Sequence, residues 1–148
     1  MIRPITPADR SIYLSLMDEF YHSPAVLHPV DRRYWERAVD EMLRSDAYLL
    51  GYLFELDGQT VGYAMLARAY SAECGGPVLW IEELYLREAF RSRGLGSEFL
   101  HFLEQTFTDT CCRFRLEIEP SNERALALYR RHGFEPLPYL QMIRDFPR

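Results

Sequence analysis

Several stretches of the chain show the period of two between apolar and polar residues that is typical of β-strands. In the clearest one, Phe114, Leu116 and Ile118 fall on one side and charged residues on the other. The dipeptide Asp57-Gly58 between two such stretches predicts a hairpin turn. The predicted strands are 2–5, 48–56, 60–70, 78–86, 113–119 and, in the tail, 138–146.

A helical period of apolar residues, together with matching end signals, predicts four helices among these strands. Thr6 is a suitable cap and Pro7 a suitable first residue for the first helix. Ser121 is the predicted cap of the last helix, and Gly133 fits the left-handed position after its end. The predicted helices are 6–20, 31–44, 94–107 and 121–132.

The order of these elements predicts an α/β (α+β) fold. Two helices and a hairpin of strands are followed by strand, helix, strand, helix and strand. We expect a mixed, mostly antiparallel sheet with a central parallel step, flanked by about four helices. The chain has 148 residues and no linker or repeat, so we expect one domain over 1–148.

Composition and charge argue against several classes of function. Hydrophobic residues make up 48 % of the chain, as in globular proteins, and the formal net charge of −5 disfavours binding to nucleic acid through phosphate neutralisation. No apolar run approaches the roughly 20 residues that span a bilayer, and the N-terminal segment lacks the apolar centre of a signal peptide. We therefore expect neither nucleic acid nor a membrane among the partners.

The cysteines and histidines predict neither a disulfide nor a metal site. Cys74, Cys111 and Cys112 are odd in number and two are adjacent, which fits no disulfide framework and no zinc spacing. This pattern indicates a reducing, cytoplasmic setting, in which Cys111 and Cys112 are packed small side chains. The histidines lie too far apart in sequence for a metal motif; they are His22, His28, His101 and His132.

A glycine-rich, cationic turn before the third predicted helix is the first candidate for chemistry. In RSRGLGSEFL, residues 91–100, two arginines stand before Gly94 and Gly96. The first N–H groups of a helix lack intrahelical acceptors and bind anions such as phosphate. Taken alone, a Gly-x-Gly is better explained as a strand-to-helix turn with a solvated basic corner. It is neither a dinucleotide fingerprint nor a Walker loop.

Two longer motifs give this turn a family context. LWIEELYLREAFRSRGLGSEFLHFLE carries Arg-x-x-Gly-x-Gly after a strand end, and EIEPSNERALALYRRHGF carries Asn-x-x-Ala-x-x-Leu-Tyr-x-x-x-Gly-Phe. Together, and in this order, they resemble the GNAT superfamily of N-acetyltransferases over the C-terminal half of the chain. The residues that match the two motifs are Arg91, Gly94, Gly96, Asn122, Ala125, Leu128, Tyr129, Gly133 and Phe134.

The resemblance implies that the chain uses acetyl-CoA as acyl donor, without a metal, and transfers the acetyl group directly to an amine. The turn would hold the pyrophosphate of CoA. The strand end would pair with the pantetheine arm, and an N–H group near Leu86 would polarise the thioester carbonyl. Asn122 would contact the cofactor or tie strand to helix. The implied cofactor-binding residues are Leu84, Tyr85, Leu86, Arg91, Ser92, Arg93, Gly94, Leu95, Gly96, Ser97, Asn122 and Tyr129.

The resemblance also implies catalytic roles for Glu82, Glu83 and Tyr129. Glu82 lies where many family members place a carboxylate that acts as a base, directly or through water, and Glu83 is the fallback. Neighbours on a strand point to opposite faces, so we expect only one of them to reach the acceptor. Tyr129 would give a proton to the leaving thiolate. The alternatives are structural: a surface ion pair for either glutamate, and a core position for the tyrosine.

In the family the acceptor cleft is bordered by two loops, which correspond here to 18–36 and 70–79. Their carboxylates and aromatic rings suit an ammonium-bearing molecule, but equally a dimer interface or the core. We expect a small amine or polyamine-like acceptor, with a peptide N-terminus or lysine side chain as the alternative. A homodimer stays open, as does a non-catalytic CoA-binding regulatory module on this fold. The residues concerned are Asp18, Glu19, Phe20, Tyr21, Tyr34, Trp35, Tyr70, Glu73 and Trp80.

Overall fold

The computed structural model describes residues 1–148 and contains one sheet in the strand order β1-β2-β3-β4-β5. The first four strands pair antiparallel, and β4 pairs with β5 in parallel. The predicted mixed, mostly antiparallel sheet with a parallel step is confirmed. The strands are β1 Ile2–Pro4, β2 Leu49–Leu56, β3 Gln59–Ser71, β4 Gly76–Leu86 and β5 Arg113–Leu116.

Four helices cover the two faces of the sheet, as predicted: α1 Arg10–Tyr21, α2 Arg32–Arg44, α3 Leu95–Phe107 and α4 Glu123–Arg131. Helices α1 and α2 bury one cluster of apolar side chains on the first face, and α3 buries a second cluster on the other. Successive strand residues alternate between the clusters: Leu53 belongs to the first and Phe54 to the second. None of the helices is both long enough and apolar enough to span a membrane.

The helix starts follow their capping residues, with one shift from the prediction. Asp31 caps α2 by accepting a hydrogen bond from the Arg33 N–H group at 2.9 Å. Asn122, not Ser121, caps α4, and its side-chain oxygen accepts from the Ala125 N–H group at 3.2 Å. The predicted cap at Ser121 is therefore wrong by one residue, because the amide oxygen of Asn122 is the acceptor that reaches the first turn.

The predicted strand 138–146 is wrong. Residues 135–148 contain neither helix nor strand, and Leu140, Met142 and Ile143 are at least 87 % exposed. Apolar residues form a strand only where a sheet edge pairs with the backbone and a surface covers the side chains. The tail makes no ladder with the sheet, so β5 is the edge strand. That strand is also shorter than predicted and ends at Leu116.

The expectation of no disulfide is also wrong, because Cys74 and Cys112 are bonded, with their Cα atoms 6.2 Å apart. Cys74 lies in the loop between β3 and β4, and Cys112 directly precedes β5. The parallel pairing of Val78 with Arg113 brings these two segments together. Sequence spacing carries no trace of that pairing. Cys111 is the free cysteine and is partly buried.

Candidate functional site

Strands β4 and β5 separate at the centre of the candidate site. Their pairing ends at Ile81 and Leu116, whereas β4 stays paired with β3 as far as Leu86. The edge of β4 from Glu82 to Leu86 therefore has no strand beside it. Main-chain groups along such an edge can pair with an extended ligand as an added strand would. Three of the predicted cofactor-binding residues lie on this edge: Leu84, Tyr85 and Leu86.

A β-bulge in β4 lies where the two strands separate. The register against β3 passes from Met65 opposite Glu83 to Leu66 opposite Ile81, which leaves Glu82 as the extra residue. Ile81 and Leu84 both pack in the α3-side cluster although they are three positions apart. Glu82 and Glu83 therefore share the other side of the strand. The expectation of opposite faces is wrong because the bulge interrupts the alternation.

Two tyrosines hold the carboxylate of Glu83. The Tyr63 hydroxyl donates to Oε2 at 2.6 Å, and the Tyr21 hydroxyl donates to Oε1. Desolvation raises the pKa of Glu83, while the two hydrogen bonds act in the opposite direction. Burial and the nearby Glu83 charge raise the pKa of both tyrosines, so they stay protonated donors. Both oxygens of this carboxylate are thus engaged within the protein.

Glu82 differs from its neighbour because its carboxylate is exposed and makes no hydrogen bond or ion pair within the protein. Partial desolvation raises its pKa, and the negative charge of Glu117 adds to the effect. A carboxylate with a raised pKa and free oxygens can accept a proton from a bound amine. We refer to Tyr21, Tyr63, Glu82 and Glu83 together as the glutamate cluster.

The second part of the site is the segment Ser92–Ser97, which we call the donor turn. Gly94 is the N-cap of α3 and has a left-handed backbone with φ of 83°. Of the main-chain N–H groups from Ser92 to Ser97, none donates to an acceptor within the protein. Unpaired donors at the positive end of a helix form a cradle for an anion with several oxygens, such as a pyrophosphate. All the predicted cofactor-binding residues from 92 to 97 lie in it.

Arginines surround the donor turn. The Arg91 Nε group donates to the main-chain oxygen of Leu86 at 2.8 Å, which ties the end of β4 to the turn. Arg93 is exposed and lies over the Phe90 ring at 5.2 Å. Arg124 of α4 donates to the Ser92 hydroxyl. The turn is therefore cationic from both the β4 side and the α4 side.

Helix α4 brings Tyr129 and Asn122 to this region. Tyr129 packs against Phe134, with ring centroids 5.5 Å apart, and burial raises its pKa to about 12. Its hydroxyl nevertheless donates to no group of the protein, so it is available to a ligand. Asn122 acts as the cap of α4, the structural alternative for this residue. A Cβ atom at Gly96 would lie 2.9 Å from Leu128 Cδ2, so this glycine sets the close approach of α3 to α4.

The loops predicted to border the acceptor contribute less free charge than expected. Arg87 neutralises Glu19 through a contact of 2.7 Å, and Arg113 neutralises Glu73 at 2.9 Å. Trp35 is buried and stacks on Tyr21, with ring centroids 5.5 Å apart. The other residues are Asp18 beside Arg32, Phe20 against Tyr21, Trp80 under Arg115, and the exposed Tyr34 and Tyr70.

Sequence reasoning missed Tyr63 and Glu117. Tyr63 lies in β3, opposite Tyr85, and reaches Glu83 only through the strand pairing. Glu117 follows the end of β5. In the sequence it is one of the charged residues that alternate with apolar ones over 113–119, a pattern typical of a solvent-exposed strand face. No local signal distinguishes either residue, because each meets the site through contacts between strands.

Comparison with known proteins identifies a family for the chain. A model of the acetyltransferase (GNAT) family matches residues 10–134. Spermine/spermidine N(1)-acetyltransferase of Bacillus subtilis (strain 168) is 31 % identical over 83 residues, which cover 53 % of this chain and 55 % of that protein. Thialysine N-epsilon-acetyltransferase of Bos taurus is 26 % identical over 112 residues, 66 % of this chain and 65 % of that protein. The chain thus spans about half to two thirds of the length of these relatives.

Solved structures match over the whole chain. A possible acetyltransferase from Clostridium difficile 630 superimposes with a TM-score of 0.84 at 16 % identity, covering 100 % of this chain and 98 % of that one. AAC(6')-Iy in complex with the bisubstrate analog CoA-S-monomethyl-acetylneamine gives a TM-score of 0.79 at 19 % identity, covering 99 % and 98 %. At these identities the likeness establishes the fold.

Proposed function

This chain belongs to the acetyltransferase (GNAT) family, and we propose that it transfers an acetyl group from acetyl-CoA to a primary amine of a small, polyamine-like acceptor. The observation that carries the proposal is the position of the donor turn beside the open edge of β4, where Glu82 stands free. A pyrophosphate held at the turn leaves the pantetheine arm running along that edge toward the bulge. The thioester then lies near the one unengaged carboxylate of the glutamate cluster.

The proposed roles of the residues follow from their surroundings. Glu82, directly or through water, accepts the proton that the amine must lose before it attacks. Glu83 lies beside it, held by the hydroxyl groups of Tyr21 and Tyr63, and a main-chain N–H group near Leu86 stabilises the developing oxyanion. Tyr129 returns a proton to the CoA thiolate, since its hydroxyl has no partner in the protein and a pKa of about 12 keeps it protonated. The donor turn, Arg91 and Arg93 bind the pyrophosphate.

The choice of acceptor rests on charge and on the relatives. Glu82 and Glu117 form a small negative region beside tyrosine rings, which suits a molecule with more than one ammonium group. The relatives named above are, by their names, acetyltransferases of spermine, spermidine and thialysine. Each of these acceptors carries a primary amine on a flexible aliphatic chain.

Three further expectations belong to the proposal. Residues 1–148 form one catalytic domain, and it is a homodimer. It works in the cytoplasm, where the Cys74–Cys112 bond is subject to reduction. The exposed apolar side chains of the tail support the dimer, because a group of large exposed apolar residues is often covered by a partner. Size-exclusion chromatography with light scattering tests it, and a monomer at all concentrations would contradict it.

The test of the function is thiol release from acetyl-CoA in the presence of spermidine, spermine, thialysine and a panel of peptides. We expect amine-dependent release with the highest kcat/KM for a polyamine or thialysine. Release only with peptides would replace the proposed acceptor by a protein amine. Tight binding of acetyl-CoA without release by any acceptor would favour a non-catalytic CoA-binding module.

A further inference from the structure

Two histidines that are far apart in sequence meet on the outer side of α3 and α4. His101 lies on α3 and His132 is the residue that ends α4, and their ring centroids are 4.8 Å apart in an edge-to-face arrangement. Glu104, one helical turn after His101, places its Oε2 atom 3.3 Å from His101 Nδ1. One nitrogen or oxygen atom from each of the three residues lies within 4.8 Å of the others.

We propose that His101, Glu104 and His132 form a binding site for a divalent transition-metal ion, with Zn²⁺ as the ion to be tested. Two imidazole nitrogens and one carboxylate oxygen are a donor set that Zn²⁺ accepts, with water as a fourth ligand. The exposure of His101 leaves room for that water. None of the three residues is among those proposed to act in acetyl transfer, and the ion takes no part in that step.

Two features of the surroundings favour a cation at this place, although Arg130 and Arg131 precede His132 in the last turn of α4. His132 stands at the C-terminal end of α4, where the main-chain carbonyl groups concentrate partial negative charge. The Ser97 hydroxyl lies 3.0 Å from His132 Nε2 and fixes the orientation of that ring. Ser97, His101 and Glu104 are three or four residues apart and thus share one face of α3, the face toward His132. Neutral imidazoles and an ionised carboxylate are the states that a metal requires.

A bound ion would join α3 to α4. Helix α3 begins in the donor turn, and α4 carries Tyr129 one turn before His132. The two helices already approach closely at Gly96 and Leu128. An ion bound to the folded chain alone raises its stability by mass action. The expected consequence is a higher melting temperature in Zn²⁺, whether or not the chain is an active acetyltransferase.

Isothermal titration calorimetry with ZnCl₂ tests the proposal, using the full chain without a histidine tag and with Cys111 alkylated. We expect one equivalent of Zn²⁺ to bind. His101→Gln should weaken binding by at least ~10-fold, because one of three protein ligands is lost. This variant is safe for folding because His101 is exposed. His28→Gln, at an exposed loop position, is the matched control and should bind as the unmodified chain does.

Three results would overturn the proposal. They are no binding at one equivalent, binding that His101→Gln leaves unchanged, and binding that His28→Gln weakens equally. Co²⁺ gives a second readout that does not depend on affinity. In the chain with Cys111 left unmodified, visible absorption of a tetrahedral Co²⁺ centre without sulfur-to-metal charge transfer supports the three ligands, whereas a charge-transfer band assigns the ion to cysteine instead.

Discussion

The donor turn and the glutamate cluster both present polar groups to a ligand, but they differ in how many of those groups are hydrogen-bonded within the protein. The turn offers main-chain N–H groups that have no acceptor within the protein. The cluster pairs almost every polar atom internally, with two tyrosine hydroxyls on Glu83, and leaves one carboxylate, Glu82, unengaged. Under the proposed function, acetyl-CoA binding therefore depends on backbone conformation in one region, and the chemical step depends on side-chain surroundings in the other.

This difference predicts that the two regions fail separately when they are mutated. A change in the turn should alter the affinity for acetyl-CoA and leave the chemical step intact. A change in the cluster should do the reverse. Measuring both the acetyl-CoA dissociation constant and kcat for every variant turns this contrast into a test.

The largest effect is expected for Glu82→Gln, which keeps the shape of the side chain but removes its capacity to take a proton. General-base catalysis contributes about 10²–10⁴-fold to rate, and we expect kcat/KM for the amine to fall within that range. The acetyl-CoA dissociation constant should stay within about 3-fold of the original. Glu88→Gln, a nearby exposed change, is the control and should keep full activity. Full activity in Glu82→Gln would remove this residue as the base.

The next effect is expected for Gly94→Val, because φ of 83° is strained for a β-branched residue. Strain of about 1–3 kcal/mol either lowers stability or moves the donor turn, and we expect acetyl-CoA binding to weaken by about 10–100-fold. Gly58→Val is a matched control, since Gly58 has φ of 75° and no atom near its missing Cβ, but lies in the β2–β3 hairpin. Equal weakening of acetyl-CoA binding in both variants would contradict the assigned role of the turn.

Tyr63→Phe tests the internally hydrogen-bonded part of the glutamate cluster. It removes one hydrogen bond to a carboxylate, and we expect the free energy of unfolding to fall by about 1.5–3 kcal/mol. Urea unfolding measures this, with Tyr48→Phe as an exposed control that should change stability by less than about 0.5 kcal/mol.

The pH dependence of the same variant sharpens the test. The pKa of Glu83 is higher in the folded than in the unfolded chain, so its contribution to stability decreases as pH rises from the unfolded pKa through the folded one. Loss of the Tyr63 bond raises the folded pKa further. The decline should therefore be steeper and extend to higher pH in Tyr63→Phe. An unchanged pH profile would show that Tyr63 does not hold an ionised Glu83.

The smallest effect is expected for Glu117→Gln. Removing this charge lowers the pKa of Glu82, so the acid limb of the kcat/KM profile should move to lower pH. The value of kcat/KM on the plateau at higher pH should change by less than about 3-fold. Arg115→Gln removes a positive charge two residues before Glu117 and should move the limb to higher pH. No movement in either variant would mean that another group sets the acid limb.

The same contrast explains what the sequence could predict. The donor turn was predictable because a helix start, two glycines and nearby arginines are local in sequence. The unpaired main-chain N–H groups then follow from the helix start itself. The strands and helices were predictable for the same reason, apart from the tail strand, whose apolar residues find no sheet edge. The glutamate cluster combines residues from α1, β3 and β4. Only the strand register places Tyr63 against Glu83, and no motif encodes a register.

Because of the bulge, the sequence could not predict that Glu82 and Glu83 lie on the same side of β4. A one-residue insertion in a strand leaves no compositional signal, so Glu82 and Glu83 read as an ordinary adjacent pair. The Cys74–Cys112 disulfide was hidden in the same way, since parallel pairing of distant strands creates it. In each case the missing information is which backbone lies beside which.

The bulge makes β4 change phase along its length. Before Glu82 the odd-numbered positions Leu79 and Ile81 face α3, and after it the even-numbered positions Leu84 and Leu86 do. If Glu82 were instead taken into a regular ladder, the last third of the strand would turn over, exposing leucines to the acceptor side and driving Glu83 and Tyr85 into the α3 core. The bulge therefore keeps Leu84 and Leu86 on the α3 face and Tyr85 on the other face. Any redesign of this side of the sheet has to preserve the direction in which these residues face.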